Sequence, residues 1–188
     1  MQVTFKILRF NPETDQEPHF EEYRFEGHDN MTVLDCLHKI KWEHDGSLAF
    51  RRSCAHGICG SDGMRINGRN HLACSTLLKD INTKKPVVIE PLPSLPIVKD
   101  LILDMTDFYE KYKAVKPYLI NTSPVSEDSE RLQSNEDAEK LFESAKCILC
   151  ACCTTSCPST WTNNNYIGPA ALLKAYRFVF DTRDEAAD

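Results

Sequence analysis

Apolar and polar residues alternate at the start of the chain, where Val3, Phe5 and Ile7 are separated by polar side chains. This period of two predicts a strand with one buried face. Four further short runs predict strands at 20–25, 64–66, 71–73 and 87–89. Between the second and third of these runs, Asn67–Gly68 is typical of a hairpin turn. We therefore expect the first hundred residues to form mostly strands.

One helix is predicted among these strands, beginning after Thr32. The Thr32 hydroxyl can cap the first turn, and Asp35 follows three residues later, as in a capping box. Apolar side chains then recur at helical spacing, at Val33, Leu34, Leu37 and Ile40. Cys36 falls on the buried side of the same helix, and we expect it to be a core residue.

A proline-rich segment at 91–96 separates this region from one with helical spacing. Three prolines in six residues cannot continue a helix or a central strand. We therefore predict two domains, at 1–96 and 97–188. The second is expected to contain three helices: one over about 99–115, one capped by Ser134, and one with Pro169 in its first turn. A polar loop is expected at 123–133.

The net charge of −6, without any run of Lys or Arg, bears on the possible partners. Nucleic-acid binding needs a concentrated basic face, which this sequence does not supply.

The first ten residues lack the continuous apolar core of a signal peptide. The longest apolar stretches, such as 101–103, fall far short of the roughly 20 residues that a membrane span needs. We expect a soluble chain that binds other proteins, including a membrane protein on which it could dock.

The cysteines indicate the chemistry of the chain. There are nine, an odd number, and no export signal that would favour disulfides. Three lie between 54 and 74, and five lie between 147 and 157. Clustered cysteines in a reducing compartment are more often metal ligands. The two groups are therefore candidate metal sites.

The first group has the spacing of a plant-type [2Fe–2S] site, in which Cys-x4-Cys-x2-Cys is followed by a distant fourth cysteine. Cys54 and Cys59 form the first interval, Asp62 occupies the third ligand position, and Cys74 is the fourth. Nearby glycines allow a tight loop that aims its amides at a cluster. Because a carboxylate is a harder donor than a thiolate, we expect Asp62 to alter the potential and to make ligation sensitive to pH.

Other interpretations of this group are open. Asp62 can be a solvated loop residue, with a different side chain completing the site. A structural zinc site uses Cys-x2-4-Cys pairs that close a tetrahedron, whereas this group has one x4 pair followed by single ligands. A Rieske site needs two histidine ligands, so we expect His56 to be a loop side chain near the cluster.

The second group contains the bacterial ferredoxin run Cys-x2-Cys-x2-Cys-x3-Cys-Pro. Cys147, Cys150 and Cys153 are expected to hold three corners of a [4Fe–4S] cluster, whereas Cys157 is expected to reach toward a second cluster. Cys152 lies between ligand positions, and we expect it to pack as a small apolar residue. No cysteine follows Cys157, so the fourth corner is not supplied. Either the chain is a fragment, or its second domain holds clusters in an unusual way.

A plant-type half followed by a bacterial-ferredoxin half resembles the iron–sulfur subunits of the succinate dehydrogenase and fumarate reductase family. The segments that carry the resemblance are 52–54, 59–63, 72–74, 147–159, 168–170 and 175–177. The resemblance spans the whole chain and implies an α+β fold. It implies a β-grasp plant-type ferredoxin domain at 1–96 and an all-α domain like bacterial ferredoxins at 97–188, incomplete at its C-terminal end. Aspartate at the third ligand position, here Asp62, is a feature in which the chain resembles some bacterial succinate dehydrogenases.

The resemblance also implies a role. In this family a FAD-containing flavoprotein subunit oxidises succinate, and electrons then pass through [2Fe–2S], [4Fe–4S] and [3Fe–4S] clusters to ubiquinone in a membrane anchor. The implied partners are therefore the flavoprotein, the anchor subunits and ubiquinone, and the chain itself has no site for succinate. Cys157 is the implied ligand of the [3Fe–4S] cluster. The implied location is the cytoplasmic face of the bacterial inner membrane.

Three residues match positions that the family places near quinone: Pro158, Ser159 and Trp161. Trp161 corresponds to the first of a tryptophan pair, and the second position is Thr162 here. An alternative role for Trp161 is packing at a subunit interface.

Three other functions remain open. Fumarate reductase has the same architecture and runs the reaction in reverse. A free-standing ferredoxin-like carrier is a second alternative, although the apolar segments at 166–167 and 170–173 favour a docking surface. A zinc-stabilised interaction module is the third, and the cysteine spacings disfavour it.

Overall fold

A computed structural model of the protein describes residues 1–125 and 129–186. The strands are β1 (Gln2–Arg9), β2 (His19–Glu26), β3 (Gly63–Ile66), β4 (Arg69–Leu72), β5 (Val87–Glu90), β6 (Ile97–Lys99) and β7 (Ile102–Leu103). The helices are α1 (Val33–Glu43), α2 (Thr106–Ala114), α3 (Asn135–Ala145), α4 (Cys152–Thr155), α5 (Pro158–Thr162) and α6 (Pro169–Val179). Positions 126–128 of the predicted polar loop, and the last two residues of the predicted second domain, lie outside the described residues.

Five strands form one sheet in the order β2-β1-β5-β3-β4. β1 is antiparallel to β2 and parallel to β5, whereas β3 is antiparallel to both β4 and β5. Val3, Phe5 and Ile7 are buried on one face, which confirms the alternation predicted for the first strand. The strands predicted from the apolar runs are all present, with ends that shift by at most two residues.

α1 covers the buried face of this sheet and begins at the predicted cap. The Thr32 hydroxyl accepts a hydrogen bond from the Asp35 amide at 3.0 Å, and the Asp35 carboxylate accepts one from the Thr32 amide at 2.9 Å. The buried face of the helix consists of Val33, Leu34, Cys36, Leu37 and Ile40. Cys36 is therefore a core residue, as expected.

The predicted helix over 99–115 is wrong in its first half. Residues 97–103 form the β6–β7 hairpin, and α2 begins only at Thr106. Asp100 causes the difference: it is fully buried, has a φ of 48°, and accepts hydrogen bonds from the Phe10 and Ala49 amides. A helix could not present Asp100 to these distant partners. The expectation that 97–188 is all-α therefore fails for this hairpin.

Asp100 also pairs with Arg9, a buried arginine at the end of β1. The Arg9 Nε donates to Asp100 at 3.0 Å, and its terminal nitrogens reach Glu21, Asp45 and Ser47. An unpaired buried charge is costly, so these partners are required once Arg9 is inside. The β6–β7 hairpin is thereby fixed to the five-stranded sheet.

A second, smaller core lies beside the sheet domain. Its buried residues are Leu92, Leu103, Phe108, Ala151 and Ala170, with Leu149 and Cys152 partly buried against them. It thus joins the proline-rich segment and the hairpin to the second cysteine run. The Ser134 cap of α3 and the position of Pro169 in the first turn of α6 are confirmed. Among the described residues, no helix has both the length and the apolar character to cross a membrane.

Candidate functional site

The first candidate site is the loop between α1 and β3. Ala55, Gly57 and Gly60 have φ values of 58°, 81° and 67°, and these left-handed residues curl the chain around one sulfur. The Cys54 thiol accepts hydrogen bonds from three backbone amides of this loop, at 3.3 to 3.4 Å. Converging amides of this kind stabilise negative charge. The predicted amide-lined loop is therefore present.

Cys59 lies on the same loop and is exposed to solvent. Its Sγ lies 3.1 Å from the Ser61 hydroxyl and accepts a hydrogen bond from the Cys54 amide at 3.5 Å. Hydrogen bonds from the side chain and the amide of Ser61 lower the pKa of Cys59 to about 6. Thiolate is the form of cysteine that binds metal, so Cys59 is prepared for ligation near neutral pH.

Asp62 and Cys74 meet on the buried side of the loop. The Asp62 carboxylate accepts a hydrogen bond from the Cys74 amide at 2.5 Å, and its side chain is 3% exposed. Asp62 is therefore a buried residue and not a solvated one, while its role as a ligand stays a prediction. Burial, together with the nearby Asp62 carboxylate, raises the pKa of Cys74 to about 11. The structure thus brings the third and fourth predicted positions together, whereas His56 is an exposed side chain beside Cys54.

The second candidate site is the cysteine run between α3 and α4. Leu149 and Ala151 have φ values of 55° and 63°, so the run coils back on itself before α4 begins. Three cysteines of the run line one cavity of about 280 Å³: Cys147, Cys150 and Cys153. Ala170 and Leu173 of α6 contribute an apolar wall to the same cavity. These are the three cysteines expected to share a cluster.

The other two cysteines of the run have different surroundings. Cys152 packs partly against the second core, as expected, and hydrogen-bonds with Cys150. That hydrogen bond lowers the pKa of Cys150 to about 6 and raises the pKa of Cys152. Cys157 lies at the start of α5, outside the cavity lining, where the Thr160 amide lowers the pKa of its thiol.

The donor arrangement differs from that of a mononuclear zinc site. Within residues 1–125 and 129–186, no three His, Cys, Asp or Glu side chains are grouped so that they could hold one metal ion. Structural zinc takes four ligands on a single ion, whereas the ligands of an iron–sulfur cluster are shared among several irons. What separates the two kinds of site is the spacing of the cysteines along the chain, which is that of iron–sulfur proteins.

The three residues predicted near quinone lie on α5, which follows the second cysteine run. The Trp161 indole nitrogen donates to the Thr155 carbonyl at 2.8 Å, and the ring lines an open cavity of about 720 Å³. Pro158 and Ser159 are not among the residues that line it. Arg65, Arg69 and His71 line the same cavity; sequence reasoning missed them, although their basic side chains alternate along the β3–β4 hairpin.

Known proteins with similar sequences are iron–sulfur proteins. Residues 4–110 match the family model described as a 2Fe-2S iron-sulfur cluster binding domain. The chain is 50% identical to a succinate dehydrogenase iron-sulfur subunit of Coxiella burnetii, over 97% of the chain and 77% of that protein. It is also 50% identical to the mitochondrial succinate dehydrogenase [ubiquinone] iron-sulfur subunit of Candida glabrata, over 97% of the chain and 73% of that protein.

A solved structure gives the same result. A chain of the Mycobacterium smegmatis Sdh1 complex in the apo form superposes with a TM-score of 0.89 and 26% identity, covering 98% of this chain and 77% of that one. The resemblance stated from the sequence is confirmed, and so is the expected electron-transfer role in an oxidoreductase. By its sequence, its [2Fe–2S] domain and its fold, the chain belongs to the family of succinate dehydrogenase iron–sulfur subunits.

Proposed function

We propose that this chain relays electrons from a succinate-oxidising flavoprotein subunit, through a line of iron–sulfur clusters, to ubiquinone at a membrane anchor. The single observation that carries the proposal is the contact between its two candidate sites. The loop of Cys54 and Cys59 packs directly against Cys150, one of the cysteines that line the second cavity. Two redox sites in contact within one chain suit a relay.

The first site is proposed to hold the [2Fe–2S] cluster through Cys54, Cys59, Asp62 and Cys74. When bound, iron–sulfur clusters accept and release single electrons by changing the valence of iron. The loop amides supply positive dipoles toward Cys54, which favours the added negative charge of the reduced state. The buried Asp62 provides an anionic oxygen beside Cys74. The proton of the Cys74 thiol must leave before the sulfur can bind iron.

The second site is proposed to hold a [4Fe–4S] cluster through Cys147, Cys150 and Cys153. The cavity that these residues line is closed on one side by apolar residues of α6, and this wall limits the access of water. Cys157 is the proposed ligand of a [3Fe–4S] cluster. The remaining ligands of both clusters are proposed to be groups other than these four cysteines.

We propose the division into a plant-type ferredoxin domain of β-grasp type at 1–96 and a bacterial-ferredoxin-like domain at 97–188. The two buried cores support two units, one on the sheet and one on the cysteine run, with Leu101 in the first core and Leu92 in the second. Arg9 and Asp100 tie the β6–β7 hairpin to the first core, so the hairpin serves as the join between the two domains.

A peripheral position on the inner membrane, on its cytoplasmic face, is proposed through partner subunits. The outer face of α6 supports docking because it exposes large apolar residues: Leu172, Tyr176, Val179 and Phe180 just beyond it. Isolated exposed apolar residues are ordinary, whereas a group on one helix marks an interaction surface. Pro158, Ser159 and Trp161 are proposed to lie near the quinone, with about half of the Trp161 surface open to a partner.

The test is the content of iron, acid-labile sulfide and zinc per chain, in the complex prepared without oxygen. The proposal expects sulfide in proportion to iron, clearly more than two irons per chain, and no stoichiometric zinc. About two irons would show that only the first site assembles and would overturn the relay. Stoichiometric zinc without sulfide would support the interaction module instead. Co-purification with a flavoprotein separates the complex from a free-standing carrier.

A further inference from the structure

Two glycines of the first loop lie against the backbone of the second cysteine run. A Cβ atom added at Gly60 would lie 2.8 Å from the Cβ and 2.9 Å from the Cα of Cys150. It would also lie 2.9 Å from the carbonyl oxygen of Ile148. Contacts this short leave no room for a side chain, and most of the opposing atoms are backbone. Glycine is therefore required at position 60 for two reasons: the close approach to the cysteine run and the left-handed φ of 67°.

Gly63 also lies close to the second cysteine run, but its backbone is not in the left-handed region. A Cβ atom at this position would lie 2.9 Å from the Cys150 carbonyl oxygen and 3.4 Å from the Cys152 Sγ. Its φ lies outside the left-handed region, so other residues could adopt its backbone conformation. The close approach alone therefore explains glycine at this position.

The interface between the loop and the run is tightly filled. The void between them measures about 20 Å³ and is lined by Cys59, Gly60, Gly63 and Cys150, with Leu103 of the hairpin on one side. A void of this size holds about one water molecule. The Asn70 side chain, on β4, closes the contact by donating to the Cys152 carbonyl at 3.2 Å and to the Thr155 hydroxyl at 2.9 Å.

We propose that Gly60 and Gly63 are positioning residues for electron transfer, and that electrons cross between the two sites at their contact with Cys150. In each transfer one electron leaves the first site, where a ferrous iron becomes ferric, and one ferric iron at the second site becomes ferrous. No bond forms or breaks, and no proton moves. Electron tunnelling slows steeply with distance, so a side chain that forces the two loops apart slows this step. The inference rests on the proposed function, since it requires a cluster at each site.

The test uses the assembled complex and two alanine variants. Gly63→Ala adds one methyl group at the contact without strain in φ. The matched control is Gly68→Ala in the β3–β4 turn, where φ is 82° and nothing lies within 4 Å of the added atom. Each complex is measured for iron and sulfide, for the magnetic interaction between its two reduced clusters, and for the rate at which the second site is reduced through the first.

The expected result for Gly63→Ala is normal iron and sulfide, a weaker magnetic interaction and a severalfold slower transfer, with Gly68→Ala like wild type. An unchanged interaction and rate in Gly63→Ala overturn the inference, and so does an equal loss in both variants. Asn70→Ala is the second variant, for use if Gly63→Ala fails to assemble clusters, because it loosens the contact without adding atoms. A weaker magnetic interaction between the two reduced clusters is expected in it as well. No weakening in Asn70→Ala then overturns the inference. A wild-type complex with only about two irons per chain instead signals failure of the proposed function.

Discussion

The two cysteine sites are built by different means. In the first, three amides within six residues converge on Cys54, and the left-handed residues that aim them belong to the same loop. In the second, the run supplies three thiols, but the cavity between them is completed by Ala170 and Leu173 of α6. One site is therefore mainly a product of local backbone geometry, whereas the other depends on the packing of distant elements.

This difference affects how each site responds to damage. A site built mainly from one loop, with Cys74 added from beyond β4, fails when it loses a ligand, and the rest of the fold need not change. A site completed by tertiary packing fails also when a remote helix shifts, because its cavity opens without any loss of a ligand. Substitutions in and around the two sites can separate these modes of failure.

The largest expected effect is the loss of the first cluster in Cys59→Ala. The variant removes a proposed ligand whose pKa is already low, and it should abolish the [2Fe–2S] signal in electron paramagnetic resonance. Because the helical part has its own core, the helical circular dichroism should remain near the wild-type value. His56→Ala, in the same loop but exposed, is the control and should keep the signal. Loss of all helical signal in Cys59→Ala would contradict the picture of two separate cores.

A comparable loss is expected at the second site in Cys147→Ala. Its thiol lines the cavity, so iron and sulfide per chain should fall while the [2Fe–2S] signal stays. Cys152→Ala provides a matched control from the same run, since Cys152 packs against the second core instead. We expect the Cys152→Ala protein to keep its clusters, with modest destabilisation from the lost thiol. Equal loss of iron in both variants would show that the ligands had been assigned incorrectly.

Much of this comparison could be predicted from the sequence, because it depends on spacing within short segments. The Thr32 and Ser134 caps, the position of Pro169 and the alternation of Val3 and Phe5 are local patterns, and the structure confirms them. The intervals within the two groups of cysteines are also local patterns. They predict a type of cluster for each group, and that assignment stays a prediction.

Features that join distant segments could not be predicted in this way. Asp100 was expected in a helix, yet its carboxylate bonds to Arg9 and to the Phe10 and Ala49 amides, which are remote along the chain. The contact of Gly60 with Cys150 joins positions 90 residues apart, and nothing near Gly60 in the sequence indicates it. Periodicity reports on neighbours within one element, so such partners become visible only in the fold.

A smaller effect, on stability, is expected for Gly168→Ala at the start of α6. The added Cβ would lie 2.8 Å from the Thr154 methyl carbon, and φ there is 87°. Strain of the backbone and overpacking each cost about 1–3 kcal/mol. The thermal unfolding midpoint should fall, and iron should be lost from the second site before the first. In the Gly68→Ala protein, with a similar φ and no close neighbour, only the strain cost is expected. Equal midpoints for the two variants would argue against tight packing of α6 on the cysteine run.

The smallest expected effect comes from Asp181, just after α6. The Arg183 side chain, with Arg177, holds the pKa of this buried carboxyl well below its usual range. A depressed folded pKa means that the stabilisation is complete above the unfolded value near 3.9 and is lost as pH falls toward the folded value. Asp181→Asn should therefore cost about 1–3 kcal/mol at pH 7, as expected when a buried charged partner is removed.

The pH dependence separates this ion pair from the acid sensitivity of the clusters. Metal ligation itself weakens in acid, but it does so equally in wild type and in Asp181→Asn, which have the same ligands. The difference between their unfolding midpoints should therefore be constant from pH 7 to about 5 and shrink below about 4, because Asp181 of the unfolded chain then begins to take up a proton that the folded carboxyl does not. A difference that stays constant to pH 3 would mean that the Asn variant loses packing or geometry instead of charge. The ion pair would then contribute little to holding α6 against the second site.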